Sequence, residues 1–247
     1  MTQALVDAAP KPSVSIVFPA YQEEAFLEQA VTEVHAGLTA VGRTFEIITV
    51  ENGSKDNTRR VADDLAARLT NVRSLFINEA NYGLALRHGL LAATGEYVVN
   101  FDVDLYDLVF LESAIKRLGA DRETGVSIVV ASKRGEGADD TRHWTRKLVT
   151  GVFSTLLRVG FGLKVSDTHG MKAMRRIDVV ELGQRCVFGT DLFDTELILR
   201  AERSGLRTAE IGVRIAEMRP ARTPIFRRIL RSLRGLVRLW LALRREP

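Results

Sequence analysis

The sequence predicts an α/β fold with a mostly parallel sheet flanked by helices, and three observations support this prediction. Short runs rich in β-branched residues alternate with segments of helical periodicity from residue 13 onward, as in doubly wound parallel sheets. The chain has 247 residues, of which 46% are hydrophobic, enough to build the core of one large domain. Polar residues follow several strand runs, at the sheet edge where such folds bind ligands.

The first half of the chain alternates strand and helix throughout. Its strand runs contain many Val, Ile and Phe residues, which favour strands because their side chains pack well on a pleated surface. These runs read SVSIVFPA, FEIITVEN, VRSLFI, YVVNFDVD and VSIVVASK. The segments between them carry apolar residues at helical spacing, which predicts helices near residues 24–41, 57–69, 83–94 and 108–119.

The second half is less regular. Residues 142–161 and 191–204 have helical periodicity, DTHGMKAMRR resembles a turn that enters a short strand, and LRTAEIGVRI has the alternation of a strand. We therefore divide the chain into a leader at residues 1–12, one domain at residues 13–217 and a basic tail at residues 218–247. The boundary falls in the proline-containing stretch MRPARTPIF.

Charge is distributed unevenly along the chain. Nine of the 35 basic residues but one of the 31 acidic residues, Glu246, lie from Arg219 to the end, which leaves 26 basic and 30 acidic residues elsewhere. This distribution favours a tail that contacts an anionic surface, and the acidic body offers no extended basic groove for nucleic acid. A single cysteine, Cys186, excludes an internal disulfide, and no signal sequence opens the chain. We therefore expect a cytoplasmic site of action.

The run YVVNFDVDLYD ends in two aspartates one residue apart. Because side chains alternate faces along a strand, Asp102 and Asp104 are predicted to emerge on one side of the strand end. Two such carboxylates can share a divalent cation and the diphosphate that it carries. The alternative is a pair that ends a strand and caps the following helix, so the neighbouring motifs must decide between the two interpretations.

Polar residues also follow the other strands of the first half. The first strand runs into PAYQEE, where Pro19 and Tyr21 can present backbone groups and an aromatic face to a nucleobase, with Glu23 nearby. The second strand ends in VENGS, where Glu51 can accept hydrogen bonds from a ribose or a base and Gly53 helps to make the turn. Each motif alone could be a helix entry, a turn or a cap. Together they indicate a nucleotide site much more specifically.

The order of these motifs resembles family 2 glycosyltransferases of the GT-A fold, a Rossmann-like architecture, and in particular the polyprenyl-phosphate branch that includes dolichyl-phosphate mannosyltransferase-like enzymes. The matching pieces are SIVFPAYQEE, VENGSKDNT, NYGLALRHGLLAATGEYVVNFDVD, VVASKR and DTHGMKAMRR, which span residues 13 to about 176. The resemblance implies that Asp102 and Asp104 bind a Mg²⁺ or Mn²⁺ ion on the donor diphosphate. The candidate nucleotide-binding residues are then Pro19, Ala20, Tyr21, Glu23, Glu51, Gly53, Asn81 and Asp102.

The sequence departs from the family pattern in several places. The usual Asp-Asp-Gly-Ser is replaced by ENGS, and Tyr106 stands where relatives often have a glutamine that helps to hold the metal. The glycine-rich stretch after Asn81 is two residues short, and DTHGMK is one residue shorter than the usual Asp-Pro-Thr-Ser-Gly-Phe-Arg. These departures indicate a divergent subgroup with its own donor or acceptor.

Inverting glycosyl transfer needs an in-line nucleophile, stabilisation of the departing diphosphate and usually a base. The cation on Asp104 would serve the second need. A lipid phosphate acceptor is already ionised, so it needs cations that position it; the resemblance gives this role to Lys133 and to Arg146 with Lys147, which could instead form a solvated helix face. A hydroxyl acceptor would require a carboxylate base, for which the candidates are Asp191, Asp194 and Glu196.

Residues 225–245 show the pattern of an amphipathic basic helix. One stripe carries Arg227, Arg231, Arg234 and Arg238, and the other face carries Phe226, Ile229, Leu230, Leu233, Val237, Trp240 and Leu241. Arginine interrupts the apolar run too often for a membrane span, and the pattern favours a helix that lies on an anionic membrane surface. Packing of the apolar face on the domain or on a second subunit is the alternative.

The sequence therefore predicts a metal-dependent hexosyltransferase that moves a sugar from a nucleotide-diphosphate sugar to a polyprenyl phosphate, peripheral on the inner face of the cell membrane. One alternative is a family 2 enzyme with a soluble or polysaccharide hydroxyl acceptor. Another is a catalytically degenerate nucleotide-binding module, because the altered Glu51-Asn52 pair changes the family's carboxylates. Nucleic acid is not an expected partner, and the oligomeric state is left open.

Overall fold

The computed structural model describes residues 13–120, 125–132, 139–140, 155, 158–165, 168, 170–187, 189, 192–215, 235–241 and 244. Its strands are β1 (Val14–Ala20), β2 (Phe45–Asn52), β3 (Val72–Ile77), β4 (Tyr97–Asn100), β5 (Val126–Ser132), β6 (Asp139–Asp140), β7 (Lys172–Arg175), β8 (Arg207–Gly212) and β9 (Arg214–Ile215). Its helices are α1 (Leu27–Ala40), α2 (Thr58–Arg68), α3 (Tyr82–Ala92), α4 (Leu108–Ala120), α5 (Arg176–Arg185) and α6 (Phe193–Arg203). Short helical pieces also occur at residues 158–161 and 235–241.

Seven strands form one twisted sheet in the order β3-β2-β1-β4-β7-β5-β8. Neighbouring strands are parallel except at β7, which runs antiparallel to both β4 and β5. The two-residue strands β6 and β9 form a separate parallel pair. The predicted α/β fold with a mostly parallel sheet is therefore confirmed.

The strand order reverses between β1 and β4. From β1 the chain first proceeds outward through β2 to β3, and then returns to place β4 on the other side of β1. In open α/β sheets the carboxyl ends of two such strands diverge and leave a crevice between the loops that follow them. PAYQEE spans the end of β1 and the loop after it, and FDVD lies in the loop after β4, so the fold brings two of the predicted motifs to one crevice.

Helices cover both faces of the sheet, and each face has its own apolar core. One core is formed by α1, α2 and α4 against the sheet, with buried residues such as Leu27, Leu65 and Leu111. The other is formed by α3, α5 and α6, with Leu86 and Leu197 among its buried residues. Apolar stripes at helical spacing on these segments explain the arrangement, since each helix turns its apolar side to the sheet.

The second half contains elements that the sequence pattern did not indicate. The predicted strand in DTHGMKAMRR is β7, but the chain continues directly into α5, for which no helix was predicted. The strand expected in LRTAEIGVRI is divided into β8 and β9. The helix predicted at 142–161 lies mostly outside the described residues.

The described part of the tail, residues 235–241 and 244, packs partly on the domain. Leu236 is 6% exposed and Leu239 is 0% exposed, and both belong to the core beside α6. Two residues of the predicted apolar face, Val237 and Leu241, are instead 61% and 44% exposed. The rest of the predicted tail helix and the boundary at MRPARTPIF lie outside the described residues. Within the described part of the chain, no helix is long and apolar enough to span a bilayer.

Candidate active site

The two aspartates lie in a tight turn that follows β4. The backbone N–H of Asp102 donates to the carbonyl of Leu105 at 3.1 Å, and the N–H of Leu105 donates back to the carbonyl of Asp102 at 2.9 Å. Val103 is 4% exposed and belongs to the core of the α1, α2 and α4 face, whereas Asp102 and Asp104 are partly buried. The apolar residue between them thus anchors the turn in the core.

A tyrosine hydroxyl binds the first of these carboxylates. Tyr82, the first residue of α3, donates from its hydroxyl to Oδ1 of Asp102 at 2.7 Å. Burial raises the pKa of Asp102 above its usual range, although the hydrogen bond from Tyr82 and the charge of Lys172 oppose this effect. Burial and the charges of Asp102 and Asp194 also raise the pKa of Tyr82 well above its usual range. The phenol therefore remains a donor at neutral pH.

A buried lysine lies next to this pair. Lys172, at the start of β7, is 1% exposed, and its Nζ lies 3.1 Å from Oδ2 of Asp194, which is 3% exposed. The ammonium also donates to the carbonyls of Gly170 at 2.7 Å and of Thr168 at 3.3 Å. The antiparallel register pairs Lys172 with Asn100, the last residue of β4. Lys172 thus links the DTHG loop, α6 and the strand that leads to the aspartate pair.

Glu196 has a different environment from Asp194, although both lie in the first turn of α6. Its side chain is fully buried, Oε1 accepts from Nε of Arg200 at 2.9 Å, and Nη2 of Arg200 lies 2.8 Å from the same oxygen in an ion pair. The backbone N–H of Val187 donates to both of its oxygens. This geometry argues against the predicted role of Glu196 as a base, because both of its oxygens are buried and hydrogen-bonded inside the protein.

The loop after β1 is held against the loop after β2. The backbone N–H of Gln22 donates to Oγ of Ser54 at 2.9 Å, and that of Glu23 donates to Oγ1 of Thr58 at 2.7 Å. Gln22 adopts a positive φ of 56°, a conformation that non-glycine residues rarely take. The carbonyl of Glu23 accepts from Leu27 at the start of α1. The predicted residues Pro19 and Ala20 are buried in β1 beside this loop.

Glu51 offers a buried acceptor at the end of β2. It is 2% exposed, and its Oε1 accepts from the N–H of Ser54 at 2.5 Å. Its Oε2 is buried and has no hydrogen-bond partner among the described residues. A buried carboxylate oxygen without a partner is costly, so this atom is suited to a donor from a bound ligand. Gly53 turns the chain at φ 74°, and a Cβ there would lie 3.2 Å from the backbone of Glu79.

Asn52 and Asn81 connect the loops around the crevice. With its amide oriented to satisfy both neighbours, Asn52 donates to the carbonyl of Ala20 at 2.6 Å and accepts from the N–H of Asn81 at 3.2 Å. Asn81 in turn caps α3, since its Oδ1 accepts from the N–H of Leu84 at 3.1 Å. The asparagine that replaces the family's second aspartate therefore ties β1 and β2 to α3. The side chain of Asn81 serves as a cap in this arrangement.

Tyr106 is turned away from the aspartate pair. Its hydroxyl donates to Oε2 of Glu33 on α1 at 2.6 Å, and its ring packs edge-on against Phe18 at 6.4 Å between centroids. Burial and the bond to Glu33 raise the pKa of Tyr106 to about 12. Hence the residue that replaces the family's glutamine does not bring an oxygen to the candidate metal site in this geometry.

Several predicted residues cannot be placed. Lys133, Arg146 and Lys147, the predicted cations for an acceptor phosphate, lie outside the described residues. So does Asp191, one of the three predicted bases. Their roles remain predictions from the sequence.

The donor set fits a divalent cation that is shared with a diphosphate. Among the described residues, no group of three or more His, Cys, Asp or Glu side chains could hold a metal. Asp102 and Asp104 can supply two carboxylates from one turn, and Mg²⁺ characteristically binds through one or two carboxylates plus phosphate oxygens and waters. The residues present therefore suit a cation that arrives with a nucleoside diphosphate.

Residues 15–183 match the family described as Glycosyl transferase family 2. The chain belongs to this family. It is 28% identical over 239 residues to glycosyltransferase AglD of Haloferax volcanii, covering 95% of the chain but 38% of that relative. It is also 28% identical to a dolichyl-phosphate beta-glucosyltransferase of Drosophila melanogaster, covering 95% of the chain and 76% of the relative. A third relative, undecaprenyl-phosphate 4-deoxy-4-formamido-L-arabinose transferase of Proteus mirabilis, is 27% identical, with 83% and 60% covered.

Solved structures with the same fold include glucosyl-3-phosphoglycerate synthase from Mycobacterium tuberculosis. Its complex with UDP has a TM-score of 0.69 at 22% identity, covering 94% of this chain and 79% of that one. A second complex with Mn²⁺, UDP and glucosyl-3-phosphoglycerate gives the same TM-score. At this identity the likeness establishes the GT-A fold alone, in agreement with the architecture predicted from the sequence.

Two residues of the site were not singled out from the sequence. Tyr82 stands inside the quoted motif NYGLALRHG, and Lys172 stands inside DTHGMK, but neither was given a role. Lys172 lies close to the aspartates because β7 enters the sheet beside β4. The sequence of a four-residue strand does not indicate which strands it will pair with. A lysine among the apolar residues Met171, Ala173 and Met174 was the one available signal, because lysine is rarely buried without a partner.

Proposed function

We propose that this protein transfers a sugar, with inversion, from a nucleotide-diphosphate sugar to a polyprenyl phosphate. Asp102 and Asp104 would hold a Mg²⁺ or Mn²⁺ ion, which when bound would take up charge on the departing diphosphate. Glu51, with its buried and unpartnered Oε2, would accept a hydrogen bond from the nucleoside. The polyprenyl-phosphate enzymes among the relatives agree with this choice of acceptor.

One observation favours a phosphate acceptor over a hydroxyl acceptor. A hydroxyl must lose a proton during transfer and needs a base, whereas a phosphate is already ionised. The two described carboxylates of α6 that could serve as that base are both paired inside the protein, Asp194 with Lys172 at 3.1 Å and Glu196 with Arg200 at 2.8 Å. A carboxylate held in a buried ion pair is a poor proton acceptor, because protonation would leave the partner cation without its counter-charge.

We further propose that the protein acts on a membrane surface through its basic tail. Val237 and Leu241 are exposed on the described helix, and the guanidinium of Arg244 lies 3.6 Å from the centroid of the Trp240 ring. Apolar and cationic side chains on one outward surface suit the headgroup region of an anionic bilayer. A lipid-linked acceptor would be reached from that surface.

The test is transfer of label from UDP-, GDP- and dTDP-sugars to polyprenyl phosphate in the presence of Mg²⁺ or Mn²⁺, measured as label that enters the organic phase. We expect one donor to be used. Asp104→Asn should lower the rate of transfer by at least a hundredfold, which corresponds to the loss of about 2.7 kcal/mol of transition-state stabilisation. The matched control is Asp107→Asn. It removes the same charge three residues away, and Asn can replace Asp107 as the cap that accepts from Val109 and Phe110.

The outcomes separate the candidate functions. Label in the lipid phase that is lost in Asp104→Asn and kept in Asp107→Asn supports the proposal and identifies the donor. Metal-dependent donor hydrolysis without lipid labelling would instead indicate a hydroxyl acceptor. Nucleotide binding that needs the metal but gives no turnover with any donor would indicate a binding module and overturn the proposed activity.

A further inference from the structure

The start of α3 is fixed more firmly than an ordinary helix entry. Asn81 caps the helix through Leu84, and its own backbone N–H is bound by Asn52. Gly83, the next residue but one, is buried. Tyr82 is the first helical residue, and its ring packs beside the core of the α3, α5 and α6 face. These contacts fix the backbone at Tyr82 and the side to which its ring packs, independently of Asp102.

The Tyr82 hydroxyl then determines how one carboxylate is presented. It donates to Oδ1 of Asp102 at 2.7 Å, the usual length for a hydrogen bond from a hydroxyl. Once Oδ1 is bound, rotation of the carboxylate about its terminal torsion is restricted, and Oδ2 is the oxygen left for another partner. A phenol is protonated at neutral pH, so it continues to donate.

Metal-binding side chains generally depend on such outer contacts. A carboxylate that coordinates a cation is usually hydrogen-bonded by a second residue that sets its orientation, and loss of that residue typically costs 10- to 100-fold in metal affinity or activity. Here the need is greater than usual, because the described residues bring two carboxylates to the cation and Tyr106 is turned towards Glu33. With few protein ligands, the orientation of each one matters more.

We infer that Tyr82 is a positioning residue of the cation site, whose hydroxyl holds Oδ1 of Asp102 so that Oδ2 faces a divalent cation bound together with a nucleoside diphosphate. Tyr82 does not itself touch the cation or the sugar. The inference rests on the metal site of the proposed function and assigns the orienting contact to this chain's own tyrosine.

The test removes the single oxygen and measures metal binding directly. Tyr82→Phe keeps the ring and deletes the donor. Binding of Mn²⁺ is followed by the loss of the free-ion electron paramagnetic resonance signal, in the presence of whichever of UDP, GDP and dTDP the wild-type protein binds best. We expect the Kd for Mn²⁺ to rise about tenfold or more. Transfer should show a raised KM for Mn²⁺ and a kcat that recovers at saturating Mn²⁺.

The matched control is Tyr106→Phe. It deletes the same atom from a tyrosine four residues beyond Asp102, whose hydroxyl binds Glu33 instead, so the Kd for Mn²⁺ should stay at the wild-type value. Thermal unfolding and metal-free nucleotide binding, measured on the same samples, report whether each variant keeps the fold and the nucleotide pocket.

A double-mutant cycle separates an effect through Asp102 from a general one. In an Asp102→Ala background, which removes the acceptor of the Tyr82 hydroxyl, the further change Tyr82→Phe should leave the Kd for Mn²⁺ unchanged. An undiminished loss in that background, or a wild-type Kd in the single variant Tyr82→Phe, would overturn the inference while the proposed function stands. A wild-type protein that binds no Mn²⁺ with any of the three nucleotides would overturn both.

Discussion

Lys172 places a positive charge beside two acidic side chains, those of Asp102 and Asp194. Its ammonium is bound by Asp194 and by two carbonyls of the DTHG loop, and its charge acts on Asp102. A buried ion is tolerated when its hydrogen bonds and counter-charge replace the lost water. The lysine thus allows the carboxylates of Asp102 and Asp194 to lie together before any metal is bound.

Breaking this ion pair should cost more than removing an ordinary surface pair. Asp194→Asn leaves the Lys172 ammonium buried without its counter-charge, for which we expect a loss of about 3–5 kcal/mol and a fall of roughly 6–20 °C in Tm. Thermal unfolding followed by circular dichroism measures it. The control is the double variant Lys172→Met with Asp194→Asn, which should be less destabilised than the sum of the two single variants. Additive losses would show that the two residues do not form the pair described.

The position of several motif residues relative to the strands could be predicted from the sequence, whereas contacts between motifs could not. Glu51 lies near the end of β2, and Asp102 and Asp104 lie just after β4, so the parallel sheet was sufficient to predict that they share one edge. The strand alternation expected for the two aspartates does not apply, because β4 ends at Asn100 and both lie in the turn that follows. The bond between Tyr82 and Asp102 joins residues 20 positions apart, and it depends on the height and rotation of α3 above the sheet. Sequence periodicity specifies the apolar face of a helix but not its rotation to within a hydrogen-bond distance.

At the scale of elements, β7 is the feature that completes the site. It is four residues long and inserts antiparallel between β4 and β5, which brings Lys172 beside Asn100. The sequence predicted the long parallel strands because their β-branched runs are distinctive. A four-residue strand carries too few positions to reveal its direction or its neighbours, so the sheet order could not be derived.

In the turn that precedes β4, Gly95 lies so close to the backbone of β1 that a larger residue would not fit. A Cβ at Gly95 would lie 2.8 Å from the backbone of Val14 and of Ser15, and these strand atoms cannot move without disturbing β1. We expect Gly95→Ala to destabilise the protein by about 1–3 kcal/mol through this overlap, measured by urea unfolding. The control is Gly119→Ala, where the nearest atom would be the Tyr97 hydroxyl at an ordinary 3.6 Å.

Gly119 lies in α4, where alanine is the better helix former, so that control should be neutral or gain up to about 1 kcal/mol. Equal losses in the two variants would mean that the close approach at Gly95 is not the cause. The two glycine variants therefore test how closely β1 packs against the turn that precedes β4. Since the aspartate turn follows β4, they also test what positions that turn.

At the scale of the whole molecule, the described tail segment, residues 235–241 and 244, has one side packed in the core and another side exposed. Leu236 and Leu239 extend the apolar cluster beside α6, and a Cβ at Gly235 would lie 2.2 Å from Leu192, just before that helix. Residues 235–241 are helical, whereas the predicted amphipathic basic helix over the whole of residues 225–245 stays a prediction. The amphipathic pattern could not decide which apolar side chains would pack on the domain, because a periodicity describes one element and not the surface that the element meets.

Two leucines on this segment should separate its two roles. Leu239 is fully buried, so Leu239→Ala should cost about 2–5 kcal/mol and lower Tm, whereas Leu241, 44% exposed, should tolerate the same change with little loss of stability. If the exposed side contacts a bilayer, Leu241→Ala should instead weaken binding to phosphatidylglycerol vesicles, measured by co-sedimentation. The binding free energy should fall by up to about 2 kcal/mol, since each CH₂ group withdrawn from the lipid costs about 0.8 kcal/mol. Wild-type vesicle binding by Leu241→Ala, or equal falls in Tm for the two variants, would contradict this division of the helix.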